Sequence, residues 1–201
     1  VLARFLLATY LAVLVWSAIR PHDYFTWGME VFPALIGIVI VIATQRRARI
    51  TPLLLVLLTL HAMILMLGGH YTYAQVPLGE WMKSWFGWAR NDYDRIGHFA
   101  QGFVPALAAR EIFIRRDVIR SRAWMFIIIV LVCLGISAAY ELLEWGTALA
   151  VGSGADAFLG TQGDPWDTQE DMATALVGAL TALLFFSRWH DRQIDSLSAG
   201  K

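Results

Sequence analysis

Six stretches of this chain, residues 2–19, 30–45, 51–69, 95–114, 124–148 and 168–187, are predominantly apolar. Each approaches the length of about 20 residues that a helix needs to cross a bilayer. Inside a bilayer every backbone N–H and C=O must find a partner within the protein, so spans of this kind fold as helices. The expectation is an all-α polytopic bundle, one integral membrane domain over 1–201 with six transmembrane helices. Composition agrees, with 58% hydrophobic and 16% charged residues, against about 45–50% and 25% in soluble domains. A water-soluble fold of this length has no core large enough to bury that much apolar surface.

The second span is short, which admits a tilted or partly re-entrant segment, and the fourth carries His98, Gln101 and Glu111. Only Arg4 precedes the apolar core of the first span and no small-residue cleavage pattern follows it, so it reads as a retained span rather than a signal peptide. The single cysteine, Cys133, lies in an apolar run and leaves no disulfide framework or thiolate metal cage. Sixteen basic and sixteen acidic residues cancel, against the net basic footprint of a nucleic-acid binder.

How those charges are distributed is more informative. Arg4, the Arg46-Arg47-Ala48-Arg49 run, the Arg115 to Arg122 segment with Arg110, and the tail from Arg188 place twelve of the sixteen Lys and Arg on one side of the predicted spans. The positive-inside rule makes that side cytoplasmic, with both termini there, in a multi-pass membrane protein. Twelve of the sixteen carboxylates fall on the opposite, outer side. Acidic residues contribute little to orientation, so their concentration there points to a site.

Two outer connections stand out. Residues 81–88, Trp-Met-Lys-Ser-Trp-Phe-Gly-Trp, suit a short interfacial helix between the third and fourth spans, with its rings at headgroup level. The loop 149–166 is rich in glycine and supplies Asp156, Gln162 and Asp164, and glycine permits turns that aim such groups inward. No internal repeat marks a duplicated transporter.

Several ionisable residues stand where a span should be apolar. Asp94 and His98 share a helical face at a spacing of four, as a general base, proton relay or metal ligand requires; a capping role for Asp94 is the plainer alternative. Tyr140-Glu141-Leu142-Leu143-Glu144-Trp145 puts two carboxylates three residues apart. Each costs about 2.5–3.5 kcal/mol on insertion scales, so they need partners: a proton held between them, a cation bound by both, or simple snorkelling and hydrogen bonding at hydrated interface depth. Asp167 and Asp171 again share a face; Asp167 suits a helix start, whereas Asp171 lies a turn deeper, before the small Gly178. His70 leaves the third span on the same side and is either a ligand or a belt residue. His61 is expected to hydrogen-bond between helices, Glu111 to pair with nearby arginines, and Pro105 to kink its helix.

At these same residues the chain resembles the YjdF family of bacterial inner-membrane proteins. Gly-Gly-His-Tyr-Thr-Tyr at 68–73, Tyr-Asp-Arg-Ile-Gly-His-Phe-Ala-Gln-Gly-Phe at 93–103, Tyr-Glu-Leu-Leu-Glu-Trp at 140–145 and Gln-Gly-Asp-Pro-Trp-Asp-Thr-Gln-Glu-Asp-Met at 162–172 carry the resemblance. More distantly, Asp94 with His98, then Asp167 with Asp171 and Gly178, is similar to the VanZ-like membrane proteins. The resemblance implies a helical inner-membrane protein and groups these residues; the family brings no settled reaction.

Three readings follow. In the first, His98, Asp94, Glu141 and Glu144 perform acid/base or metal-assisted chemistry on a lipid-linked or cell-envelope substrate. His70, His98, Glu144, Asp167 and Asp171 are then the candidate ligands of a divalent metal; imidazole with carboxylate suits Zn, Mn or Fe. The second is a proton- or cation-coupled transporter, which requires a polar path to the cytoplasm. In the third, a structural module, the polar residues knit the spans together. The His-Glu-x-x-His helix, Gly-x-Ser-x-Gly and the phosphate-cradling glycine loop are all missing from the sequence.

Overall fold

The computed structural model describes residues 1–45 and 48–199, and of Ser153, Gly154 and Asp156 the backbone only. Arg46, Arg47 and Lys201 of the basic ends, and the Asp156 side chain, lie outside the described residues. Within them the chain is helical without a strand: α1 (Leu2–Ser17), α2 (Tyr24–Gln45), α3 (Pro52–Tyr71), α4 (Pro77–Phe86), α5 (Tyr93–Arg115), α6 (Arg122–Val151), α7 (Asp156–Leu159), α8 (Asp167–Thr181) and α9 (Ser187–Ala199). A π turn, Ala182–Phe186, joins α8 to α9 without a break.

Among the described residues four helices are long and apolar enough to cross a membrane: α2, α3, α6 and the continuous Asp167–Ala199. Helix α1 is apolar but has only 16 residues. The second predicted span is not short. It runs 22 residues from Tyr24, and Glu30, which depresses its hydropathy, is buried against the bundle. The expected aromatic helix forms as α4, beginning four residues earlier at Pro77 and ending where Gly87 takes the left-handed conformation (φ 68°) that glycine adopts without steric cost.

Helix ends carry ordinary stop and start signals. Thr51 caps α3, accepting from the Leu54 N–H, with Pro52 in the first turn; Ser121 caps α6 through the Trp124 N–H. Pro105 sits inside an unbroken α5, and its missing N–H leaves the Gln101 carbonyl without a helical donor.

Helix α5 has the polar sequence because it has the interior position. It packs against α8 most extensively, and also against α3 and α6, while α1 and α2 reach it through α3. Two glycines set the α5–α8 approach. A Cβ on Gly102 would overlap the Ala175 carbonyl, and one on Gly178 the Phe99 carbonyl. Below that contact Phe103, Leu107, Ile129, Cys133, Ala179 and Leu183 form a buried apolar layer. Outward-facing Phe5, Val15, Val39, Leu131, Leu149 and Phe185 are exposed, as a lipid-facing surface requires.

Candidate functional site

The first turns of α5 bring Asp94 and His98 together as their spacing requires, Oδ1 to Nε2 at 3.5 Å. Gln101 Oε1 accepts from His98 Nδ1 at 3.2 Å, which leaves Nε2 to face Asp94 and Asp171. Two further helices close on the same ring. Asp171 of α8 places Oδ2 3.9 Å from Nε2, and Glu141 of α6 places Oε1 3.9 Å from Nδ1. One ligand atom each from Asp94, His98 and Asp171 lie within 4.8 Å of one another. Two ligands on one ion, each at about 2.0–2.2 Å, stand no more than about 4.4 Å apart, so this spacing is close to a first coordination shell.

Burial makes the group costly as it stands. His98 is 4%, Asp171 2% and Glu141 7% exposed, and Asp171 Oδ1 and Glu141 Oε1 are buried without a hydrogen-bond donor. Glu144, half-buried on the next turn of α6, is near enough to interact electrostatically with Asp94 and Glu141. Among the described residues none of these four carboxylates pairs with Lys or Arg. A membrane-embedded excess of negative charge demands protons or a cation.

Sequence reasoning missed Glu30. It is buried on α2 and accepts from the Tyr140 hydroxyl at 3.2 Å; the Tyr140 ring stands edge-on to His98, centroids 6.3 Å apart. It adds a carboxylate that meets Tyr140 rather than the imidazole itself. The signal was present as a lone acid in an apolar run with no basic residue a turn away.

Two of the candidate ligands sit elsewhere. His70 stacks on Trp16, centroids 4.4 Å apart, and its Nδ1 bonds the Ser17 carbonyl at 3.0 Å. Asp167 accepts from Arg90 Nη1 at 2.5 Å. Arg90 and Arg95 also bind the loop acid Asp164 and Glu170 of α8, Arg90 reaching Asp164 at 3.3 Å and Arg95 pairing with Glu170. Gln162 clamps the backbone of buried Asn91, accepting from its N–H at 3.0 Å and donating to its carbonyl at 2.8 Å. His61 faces an apolar groove between α1, α2 and α3.

A second polar group lies at the far ends of α3, α5 and α9. Glu111 accepts from the Thr51 hydroxyl at 2.7 Å and from His190 Nε2 at 3.0 Å, and forms an ion pair with Arg115 Nη2, 3.0 Å away. The salt bridge expected of Glu111 therefore forms with Arg115. His190, completely buried, had no local signal. Arg110 pairs instead with Asp191, 2.6 Å away.

Over residues 2–192 the sequence matches the family described as predicted membrane protein (DUF2238). It is also similar to the inner membrane protein YjdF of Escherichia coli strain K12, with 53% identity over 186 residues that cover 92% of this chain and 89% of that protein. No solved structure matches.

Proposed function

This chain belongs to the DUF2238 family of predicted membrane proteins, and from that premise we propose that it is a six-span protein of the inner membrane holding a divalent cation. The cation sits at the periplasmic ends of the spans, on Asp94, His98 and Asp171. Glu141 and Glu144 serve beside it as proton-accepting or ligating carboxylates. In this topology α1 and the polar but interior α5 cross with the four apolar helices, and the basic ends keep both termini in the cytoplasm.

The observation that carries the reading is the convergence of three helices on His98, with carboxylate oxygens left buried and unbonded. Helix packing alone gains nothing from unsatisfied acids around one imidazole, whereas a cation offsets their charge and uses their lone pairs. Imidazole with carboxylates favours Zn, Mn or Fe. A bound ion of this kind polarises a carbonyl or phosphoryl oxygen or acidifies a water. Chemistry on a lipid-linked or other cell-envelope substrate is the reading supported by the concentration of carboxylates on the side opposite the basic ends. A conduit is the weaker reading, because the Phe103–Leu107–Leu183 layer separates this group from the Glu111–His190 group.

Elemental analysis of the detergent-purified protein tests this. Wild type should carry stoichiometric metal, and folded His98→Ala and Asp171→Asn variants should lose it. Wild type that stays metal-free after incubation with Zn, Mn and Fe, then desalting, overturns the proposal.

A further inference from the structure

Between α4, α5 and α8 lies a cavity of about 660 Å³ that shares no residue with the His98 group. Met82, Trp88, Ile96 and Phe99 make its walls apolar, and Arg90 and Arg95 line its polar side. These guanidiniums are incompletely bonded. Arg90 commits Nη1 to Thr161, Asp164 and Asp167, and its Nε stands 3.3 Å from Asp92 Oδ1, but its Nη2 and the Nε of Arg95 are buried without an acceptor. A guanidinium presents its donors in a fixed plane, so the carboxylates holding one edge cannot satisfy the other. An acceptor from the cavity side completes the fork.

The surroundings choose among acceptors. Trp81, Trp85 and Phe86 on α4 are exposed, and aromatic rings of this kind sit at headgroup depth. Apolar walls beside unfilled guanidinium donors at that depth fit a phosphate carried on an acyl chain. Charge narrows the class further. Arg90 and Arg95 are ion-paired with Asp92, Asp164, Asp167 and Glu170, two positive charges against four negative. A purely anionic headgroup is repelled by that excess. An ammonium is attracted by it, and Asp92 of the cavity lining holds the arginines only through long contacts, its Oδ1 standing 3.3 Å from Arg90 Nε and 3.5 Å from Arg95 Nη1.

We propose that this cavity binds the headgroup of a zwitterionic phospholipid, with the phosphate on Arg90 and Arg95, the ammonium on Asp92 and an acyl chain along Ile96 and Phe99. The assignment is independent of any metal at His98.

The test uses the full chain, delipidated in detergent and offered phosphatidylethanolamine, phosphatidylglycerol or inorganic phosphate, with binding read by native mass spectrometry and thermal melting. One phosphatidylethanolamine should be retained per chain in preference to phosphatidylglycerol. Arg95→Gln, which removes the unfilled Nε–H, should weaken retention about tenfold. Thr174→Leu should weaken it too, by occupying cavity volume while leaving both arginines in place. If that variant does not fold, Arg95→Lys, which keeps the charge without the fork, supplies the second measurement and should fall between wild type and Arg95→Gln. Equal retention of both lipids, unchanged by Arg95→Gln, overturns the proposal. So does inorganic phosphate stabilising the protein as strongly as the lipid, which would assign the arginines to a free anion.

Discussion

Substituting Gly102 by Ala should destroy the proposed metal site without touching a ligand. Gly102 lies one turn beyond His98 on α5 and faces Ala175, itself one turn beyond Asp171 on α8. A Cβ at Gly102 would stand 2.9 Å from Ala175 Cα and overlap the carbonyl of the same residue. The tightest overlap is with that oxygen, 1.8 Å away where ordinary contact begins at 3.4 Å, so α8 must withdraw by more than ~1 Å locally. His98 Nε2 and Asp171 Oδ2 are now 3.9 Å apart. An added ~1 Å takes them past the ~4.4 Å that one ion bridges. Overpacking of this kind also costs about 1–3 kcal/mol. Metal content by elemental analysis and melting temperature should therefore fall together. Gly135→Ala on α6 is the control, because a Cβ there meets nothing within 4 Å, and Ala in a helix is favoured over Gly by about 0.5–1 kcal/mol. A Gly102→Ala protein with wild-type metal content and melting temperature would refute both the wedge and the assignment of His98 and Asp171 to one ion.

Glu111→Ala should destabilise the protein by about 3–5 kcal/mol, because it strips the acceptor from buried His190 and from Arg115. Denaturation measures this, and the variant should still bind metal, since Glu111 lies beyond the apolar layer. Asp23, ahead of α2, accepts from the Thr26 N–H at 2.6 Å, and that bond holds its carboxyl below the usual range. A lowered folded pKa means that the carboxylate's contribution is complete above the unfolded value of about 3.9 and is lost as pH falls through the lower one. Amide exchange at Thr26, corrected for intrinsic rate, should keep its protection at pH 6 and lose it under strong acid; unchanged protection would remove Asp23 as the cap.

The parts of the site legible in sequence were those that one helix decides alone. Asp94 with His98 is a matter of spacing four on α5, and Gly178 after Asp171 marked a small-residue approach that the structure contains. Spacing also put Asp167 on the Asp171 face, and both are buried. Yet Arg90, 77 positions earlier, captures Asp167, and no local pattern encodes a partner that arrives from another loop. His190 illustrates a different failure. Nineteen residues of ideal helix after Asp171 leave it about 100° off that face. The π turn at Ala182–Phe186 inserts about one residue's rotation and brings His190 back toward the interior, where Glu111 receives it.

Which faces meet is settled by backbone approach between helices, and here Gly102 and Gly178 govern it from opposite sides of one contact. Each removes a Cβ exactly where the partner helix presents a carbonyl, Ala175 to the first and Phe99 to the second. A single glycine would allow the helices to touch while pivoting about that point. Two, on different helices, hold both position and angle, and the imidazole a turn above one of them is thereby delivered to the carboxylate a turn above the opposing alanine. The polar cluster is thus a consequence of the α5–α8 glycine contact as much as of its own charged residues.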